Sequence, residues 1–114
     1  VSTNSPSNPA YLDPIALTQA LVRFDTTNPL GNEVQCIEHI KALLDDAGIQ
    51  NQVLAEVPGL PNPIARLSGD GIAGPLLLQD HIYVVLANPE RCRHPPFGGD
   101  LVDGFFSGDG VRWT

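Results

Sequence analysis

Leu76-Leu77-Leu78-Gln79-Asp80-His81-Ile82-Tyr83-Val84-Val85 is the stretch on which the fold turns. Three successive leucines predict a strand buried on both faces, because a strand with one wet face alternates apolar and polar residues. Gln79 and Asp80 end the apolar run and place His81 just past it. Such a strand needs cover on both sides, which the rest of the chain must supply.

Upstream, the spacing of apolar residues predicts two helices. Asp13-Pro14 is a helix start, since Asp caps free amides and Pro fits the first turn. Ile15, Leu17, Leu21, Val22 and Phe24 supply an apolar stripe that ends in the turn formers of residues 25–31. Asn32 is a good cap for a second helix, with Glu33 favourably placed in its first turn. Cys36, Ile37, Ile40, Leu43, Leu44 and Ala47 recur at three- and four-residue spacing and mark a buried face, which Gly48 closes. Glu38, Lys41, Asp45 and Asp46 lie mostly on the other face, and His39 is expected to be exposed among them.

Residues 49–57 and 63–67 read as strands separated by Pro58-Gly59-Leu60-Pro61, with Pro63 at a strand start, where a missing amide is tolerated. After a Gly-rich turn at 68–75 comes the leucine strand. From Leu86 onward Pro and Gly are frequent, with short strands predicted at Leu101-Val102 and Phe105-Phe106. Helix, helix, strand, strand, strand implies a helix-covered sheet of the α/β class.

A chain of 114 residues fits one small domain or part of a larger one. Its 42% apolar content suffices for a core. A net charge of −7 argues against nucleic acid or an anionic membrane as partner, because both need a basic surface. No apolar run approaches the roughly 20 residues that span a bilayer. Residues 1–11 are rich in Ser, Asn and Pro and read as a disordered tail rather than a signal peptide, leaving 12–114 as the folded part. Cys36 and Cys92 are too few for a disulfide framework and read as free thiols, which fits a cytoplasmic location. Arg91 and Arg93 flank Cys92, a setting that lowers a thiol pKa, but Cys92 reads as an ordinary free thiol rather than a reactive one, and His94 reads as a loop residue.

Four stretches, in order, carry a resemblance that runs from about Leu12 to Gly110. They are residues 22–33 (Val-Arg-Phe-Asp-Thr-Thr-Asn-Pro-Leu-Gly-Asn-Glu), residues 42–49 (Ala-Leu-Leu-Asp-Asp-Ala-Gly-Ile), residues 61–67 (Pro-Asn-Pro-Ile-Ala-Arg-Leu) and residues 95–104 (Pro-Pro-Phe-Gly-Gly-Asp-Leu-Val-Asp-Gly). Together they resemble the N-terminal part of the dizinc amidohydrolase and metallopeptidase family that includes acetylornithine deacetylase, succinyl-diaminopimelate desuccinylase, aminoacylase and glutamate carboxypeptidase. The resemblance implies a partial zinc-exopeptidase-like catalytic domain, with two N-terminal helices and a mixed sheet. In that family a Gly-His-x-Asp-Val-Val-Pro stretch supplies a zinc-binding His and the Asp that orients it. A Gly-x-Gly-Ala-x-Asp-Met-Lys stretch supplies an Asp that bridges two zinc ions, and further ligands and a general base lie downstream. Two zinc ions polarise an amide carbonyl and acidify a water, while a carboxylate relays its proton.

Carried onto this chain, the resemblance places His81 at the ligand position and Tyr83 at the orienting Asp position. Loss of such an orienting carboxylate implies about 10–100-fold weaker metal binding. Asp80 stands where the family has Gly, Leu86 where it has Pro, and Trp113 at the bridging Asp position. Trp113-Thr114, encoded by TGG-ACN, contains GAC across the codon boundary, which is Asp in a shifted frame. The expectation is a frameshift near Gly110 that ended the protein early. Tyr83, Asp80 and Leu86 are each one base change from the family residue, as relaxed selection produces.

The functional expectation is a truncated, inactive relative of metal-dependent amidases that hydrolyse N-acyl amino acids or short peptides. His81 is a vestigial metal ligand, and no zinc is expected to bind tightly. Two alternatives stand beside it: a non-catalytic interaction protein that uses an exposed sheet edge, and one half of a split metallohydrolase. Self-association through the leucine strand is expected, because an apolar edge offers unpaired backbone to another chain.

Overall fold

Asp13 starts the first helix through its side chain. Its Oδ1 accepts the backbone N–H groups of Ile15 and Ala16 at 3.1 and 3.0 Å. In the computed structural model, which describes residues 9–29, 33–108 and 111–113, helix α1 spans Pro14–Val22 with the proline in its first turn. The chain divides into two compact units, one formed by Val1–Arg23 with Asn88–Thr114 and the other by Phe24–Ala87.

In the first unit, α1 accompanies a three-stranded antiparallel sheet of order β3-β4-β5, formed by Asp100–Val102, Phe105–Gly108 and Val111–Trp113. Asp103 and Gly104 join β3 to β4 with φ of 52° and 79°. Two consecutive positive φ values are what a two-residue turn between twisted strands requires, and Asp-Gly adopts them readily. The loop before β3 is tied to α1. Gln19 Nε2 donates to the Gly99 carbonyl at 2.9 Å, and Arg23 Nε donates to the Gly98 carbonyl at 3.2 Å. Gly99 has φ 66°, and a Cβ there would lie 2.9 Å from the Gln19 carbonyl oxygen, so only glycine fits this approach. The apolar stripe predicted for α1 is not a buried face: none of its residues is buried, and Ile15 and Leu21 are exposed.

In the second unit, helix α2 spans Glu33–Asp46. Its predicted cap, Asn32, lies outside the described residues. Cys36 and Ile37, each 2% exposed, form the apolar core. Gly48 ends the helix with φ 70°, and the N–H of Ile49 donates to the Leu44 carbonyl at 2.8 Å. Strands β1, Gln50–Leu54, and β2, Asn62–Arg66, pair antiparallel, with Gln50 opposite Arg66 and Leu54 opposite Asn62. Helix α2 packs on this hairpin. Asp45 joins them, accepting from Lys41 Nζ at 2.9 Å and from Asn51 Nδ2 at 2.7 Å. These hydrogen bonds hold its carboxyl below the usual carboxylate range, Asn51 contributing most and Lys41 next. Burial raises the Cys36 thiol, with a smaller contribution from the Glu33 charge.

The α/β class is observed, as two helices with two small antiparallel sheets. Among the described residues, parallel pairing is limited to a single bridge between Thr27 and Val84. The leucine strand is a correction. Residues 76–78 belong to no strand, and Leu76, Leu77 and Leu78 are 83–84% exposed. A strand exists only where a neighbour takes its N–H and carbonyl groups, and none of the described strands pairs with this segment. His39 is a second correction. It is half-buried rather than exposed, its ring centroid 5.4 Å from that of Phe24, with Nε2 buried and without a hydrogen-bond partner among the described residues. The expected tail at 1–11 falls mostly outside the described residues. At its end, Ala10–Leu12 forms a 3₁₀ turn.

Candidate functional site

The sequence points to one ligand-type residue, His81, and the second unit places it in a cleft of about 790 Å³. Glu33 and Ile37 of α2, Pro63 of β2, and Leu77, His81 and Tyr83 line it. The segment bearing His81 is irregular, but the residues just after it are anchored. Thr26 Oγ1 donates to the Ile82 carbonyl at 2.6 Å, Val84 N–H to the Thr26 carbonyl at 3.1 Å, and Asn28 N–H to the Val84 carbonyl at 2.9 Å. Thr26 is buried, which shields its own two bonds from water. Thr26 and Asn28, read from sequence only as turn formers, thus act as the clamp that seats the segment carrying His81.

His81 itself is exposed and held by its neighbours. Its Nδ1 lies 2.8 Å from the Tyr83 carbonyl oxygen. The imidazole and phenol rings stack, with centroids 4.3 Å apart and planes 20° from parallel. The Asp80 carboxylate accepts the His81 backbone N–H at 2.8 Å and so serves the main chain rather than the ring. Asp100 belongs to the other unit, where it faces His94 Nδ1 at 3.4 Å. That contact makes His94 more than a free loop residue. Cys92, in the same unit, is half-buried, and its thiol donates to the Asn88 carbonyl at 3.2 Å.

Zinc requires three or four donor side chains around one point. Among the described residues no three His, Cys, Asp or Glu side chains form such a group. The fit is therefore a single ligand position. Trp113, at the bridging position of the resemblance, lies in β5. Glu33 carries no chemical signal in the sequence. Its position in the first turn of α2 reads as a helix-end charge, and only folding brings it to the cleft that holds His81. No described helix is long and apolar enough to cross a membrane.

Comparison with known proteins supports the relationship to metal-dependent amidohydrolases. The chain is 35% identical over 104 residues to succinyl-diaminopimelate desuccinylase of Methylorubrum extorquens, an alignment covering 86% of this chain and 26% of that protein. It is 31% identical over 101 residues to the enzyme of the same name from Cereibacter sphaeroides, covering 88% and 26%. The Methylorubrum populi desuccinylase is 33% identical over 104 residues, covering 86% and 26%. The chain thus spans about a quarter of the length of these curated relatives. No family model matches it, and no solved structure matches significantly.

Proposed function

We propose that this chain is an N-terminal section of a desuccinylase-like amidohydrolase and does not hydrolyse N-acyl amino acids by itself. The observation that carries the reading is the similarity to three desuccinylases over most of the chain, combined with the single ligand position at His81. In a complete amidohydrolase, metal ions polarise the acyl carbonyl and acidify the attacking water. What these residues supply toward that chemistry is one imidazole on a clamped segment, a carboxylate at Glu33 and an apolar cleft wall. Homogeneous protein is expected to show no turnover of N-succinyl or N-acetyl amino acids, with or without added zinc or cobalt. Turnover abolished by a chelator and by His81→Ala would overturn the proposal.

A second reading, one half of a split metallohydrolase, is favoured by the exposed leucines at 76–78. The occupant proposed for that surface is the complementary section of an amidohydrolase chain, since the relatives are about four times as long as their aligned part. Chelator-sensitive amidase activity appearing only on mixing with the complementary section of the Methylorubrum extorquens desuccinylase would support it. Mixing without activity or complex formation would remove it.

A further inference from the structure

We infer that the main-chain carbonyl of Tyr83 is a positioning group for His81, fixing its neutral imidazole as the Nδ1–H tautomer and leaving Nε2 as the available lone pair. A carbonyl oxygen can only accept, so the 2.8 Å contact requires the proton on Nδ1. With Nδ1–H engaged, the neutral ring carries its lone pair on Nε2, the nitrogen that serves as hydrogen-bond acceptor or metal ligand. Among the described residues no hydrogen bond engages Nε2. Three features hold the geometry. The Asp80 carboxylate fixes the His81 backbone N–H. The flanking carbonyls of Ile82 and Val84 are tied to Thr26 and Asn28. The Tyr83 ring stacks on the imidazole and restrains its rotation.

The position expected from sequence to have lost its orienting carboxylate therefore keeps the orienting function through its backbone. A main-chain acceptor is retained by whatever side chain stands at residue 83. This arrangement holds whether or not any other chain completes a metal centre.

Long-range nitrogen–proton correlation spectra of the labelled protein test it, recorded at about pH 8, above the ordinary histidine range. The His81 resonances are assigned by their loss in His81→Gln. The expected pattern is a protonated, pyrrole-type Nδ1 and an unprotonated, pyridine-type Nε2, opposite to the preference of a free histidine side chain. A predominant Nε2–H tautomer would overturn the inference. Tyr83→Leu separates the carbonyl from the ring. It should leave the tautomer unchanged and remove the upfield ring-current shift of the imidazole carbon-bound protons. A tautomer that reverts in Tyr83→Leu would show that the phenol ring, not the carbonyl, holds the imidazole, and would equally refute the assignment.

Discussion

Helix α2 and the leucine segment at 76–78 are both apolar, yet the first forms a core and the second lies in solvent. In α2, Cys36 and Ile37 are each 2% exposed, while Leu76, Leu77 and Leu78 are 83–84% exposed. Hydrophobicity does not separate them, since three leucines have at least as much to gain from burial. Backbone pairing does. A helix satisfies its N–H and carbonyl groups within its own span and then needs only one packing surface, which the β1–β2 hairpin provides. An extended segment must borrow its hydrogen bonds from neighbouring chain before its side chains can be covered. Apolar sequence is a demand for a partner, and only the helix brings half of its own solution.

The largest test of this contrast is truncation of one side chain on each side. Ile37→Ala should cost about 2–5 kcal/mol of stability, the range for deleting a fully buried aliphatic group. Leu77→Ala should stay within about 0.5 kcal/mol, as for exposed positions. Urea unfolding monitored by circular dichroism measures both. Equal losses would mean that the leucine segment is packed in solution and would break the comparison.

The next effect is on association. Exposed leucines in a row form an apolar surface that a second copy of the chain can cover. The protein is expected to self-associate with rising concentration, and Leu77→Glu should shift it towards monomer without lowering its melting temperature. Light scattering alongside thermal unfolding reads the two quantities separately. A wild-type protein that stays monomeric at high concentration would remove the association, and a Leu77→Glu variant that unfolds would place that leucine in a core.

The two cysteines give a smaller contrast within reach of a chemical probe. Burial, with the Glu33 charge, raises the Cys36 thiol above its ordinary range. A raised folded value means that the unfolded chain loses its proton first as pH rises. The contribution to stability is therefore complete below the ordinary thiol range and declines as pH rises through that range. A maleimide reagent at neutral pH should label Cys92 first and Cys36 only as the second unit opens, which mass spectrometry of labelled peptides would show. Early labelling of Cys36 would indicate that α2 and its hairpin separate readily.

Asp45 supplies the smallest effect. Its folded carboxyl is held below the usual range by Asn51 and then Lys41. A depressed value contributes stability above the unfolded carboxylate value, about 3.9, and loses it as pH falls through the lower folded value. Asp45→Asn should lower the melting temperature slightly at neutral pH and make no difference in strong acid. The group is exposed and screened, so a large change at pH 7 would show that the tie between α2 and β1 matters more than a surface contact does.

Much of the architecture is legible residue by residue. Asp13 caps, Pro14 opens α1, the spacing of Cys36 and Ile37 marks the core face, and Gly48 ends α2, because each signal acts within one or two turns of chain. The hairpins at 50–66 and 100–108 are legible for the same reason: Pro, Gly and Asp-Gly punctuate short strands. The buried strand expected at 76–78 is absent because burial on two faces depends on neighbours that no local pattern contains. At the site, His81 is legible as a ligand-type residue, and its place in the cleft comes from the fold. The clamp by Thr26 and the placement of Glu33 along the same cleft are not legible, since both join residues distant in sequence.

Sequence by itself thus determined the two helices, the cap that starts α1, the glycine that ends α2, the strands on either side of their turns, the net negative charge and the similarity to amidohydrolases, all of which rest on local chemistry or on aligned residues. Tertiary structure alone decided which apolar residues are covered and that a backbone carbonyl, rather than a side chain, orients His81. The reason is that every residue carries a carbonyl, so its identity predicts nothing about which one a ring will meet. Only the path of the folded chain selects it.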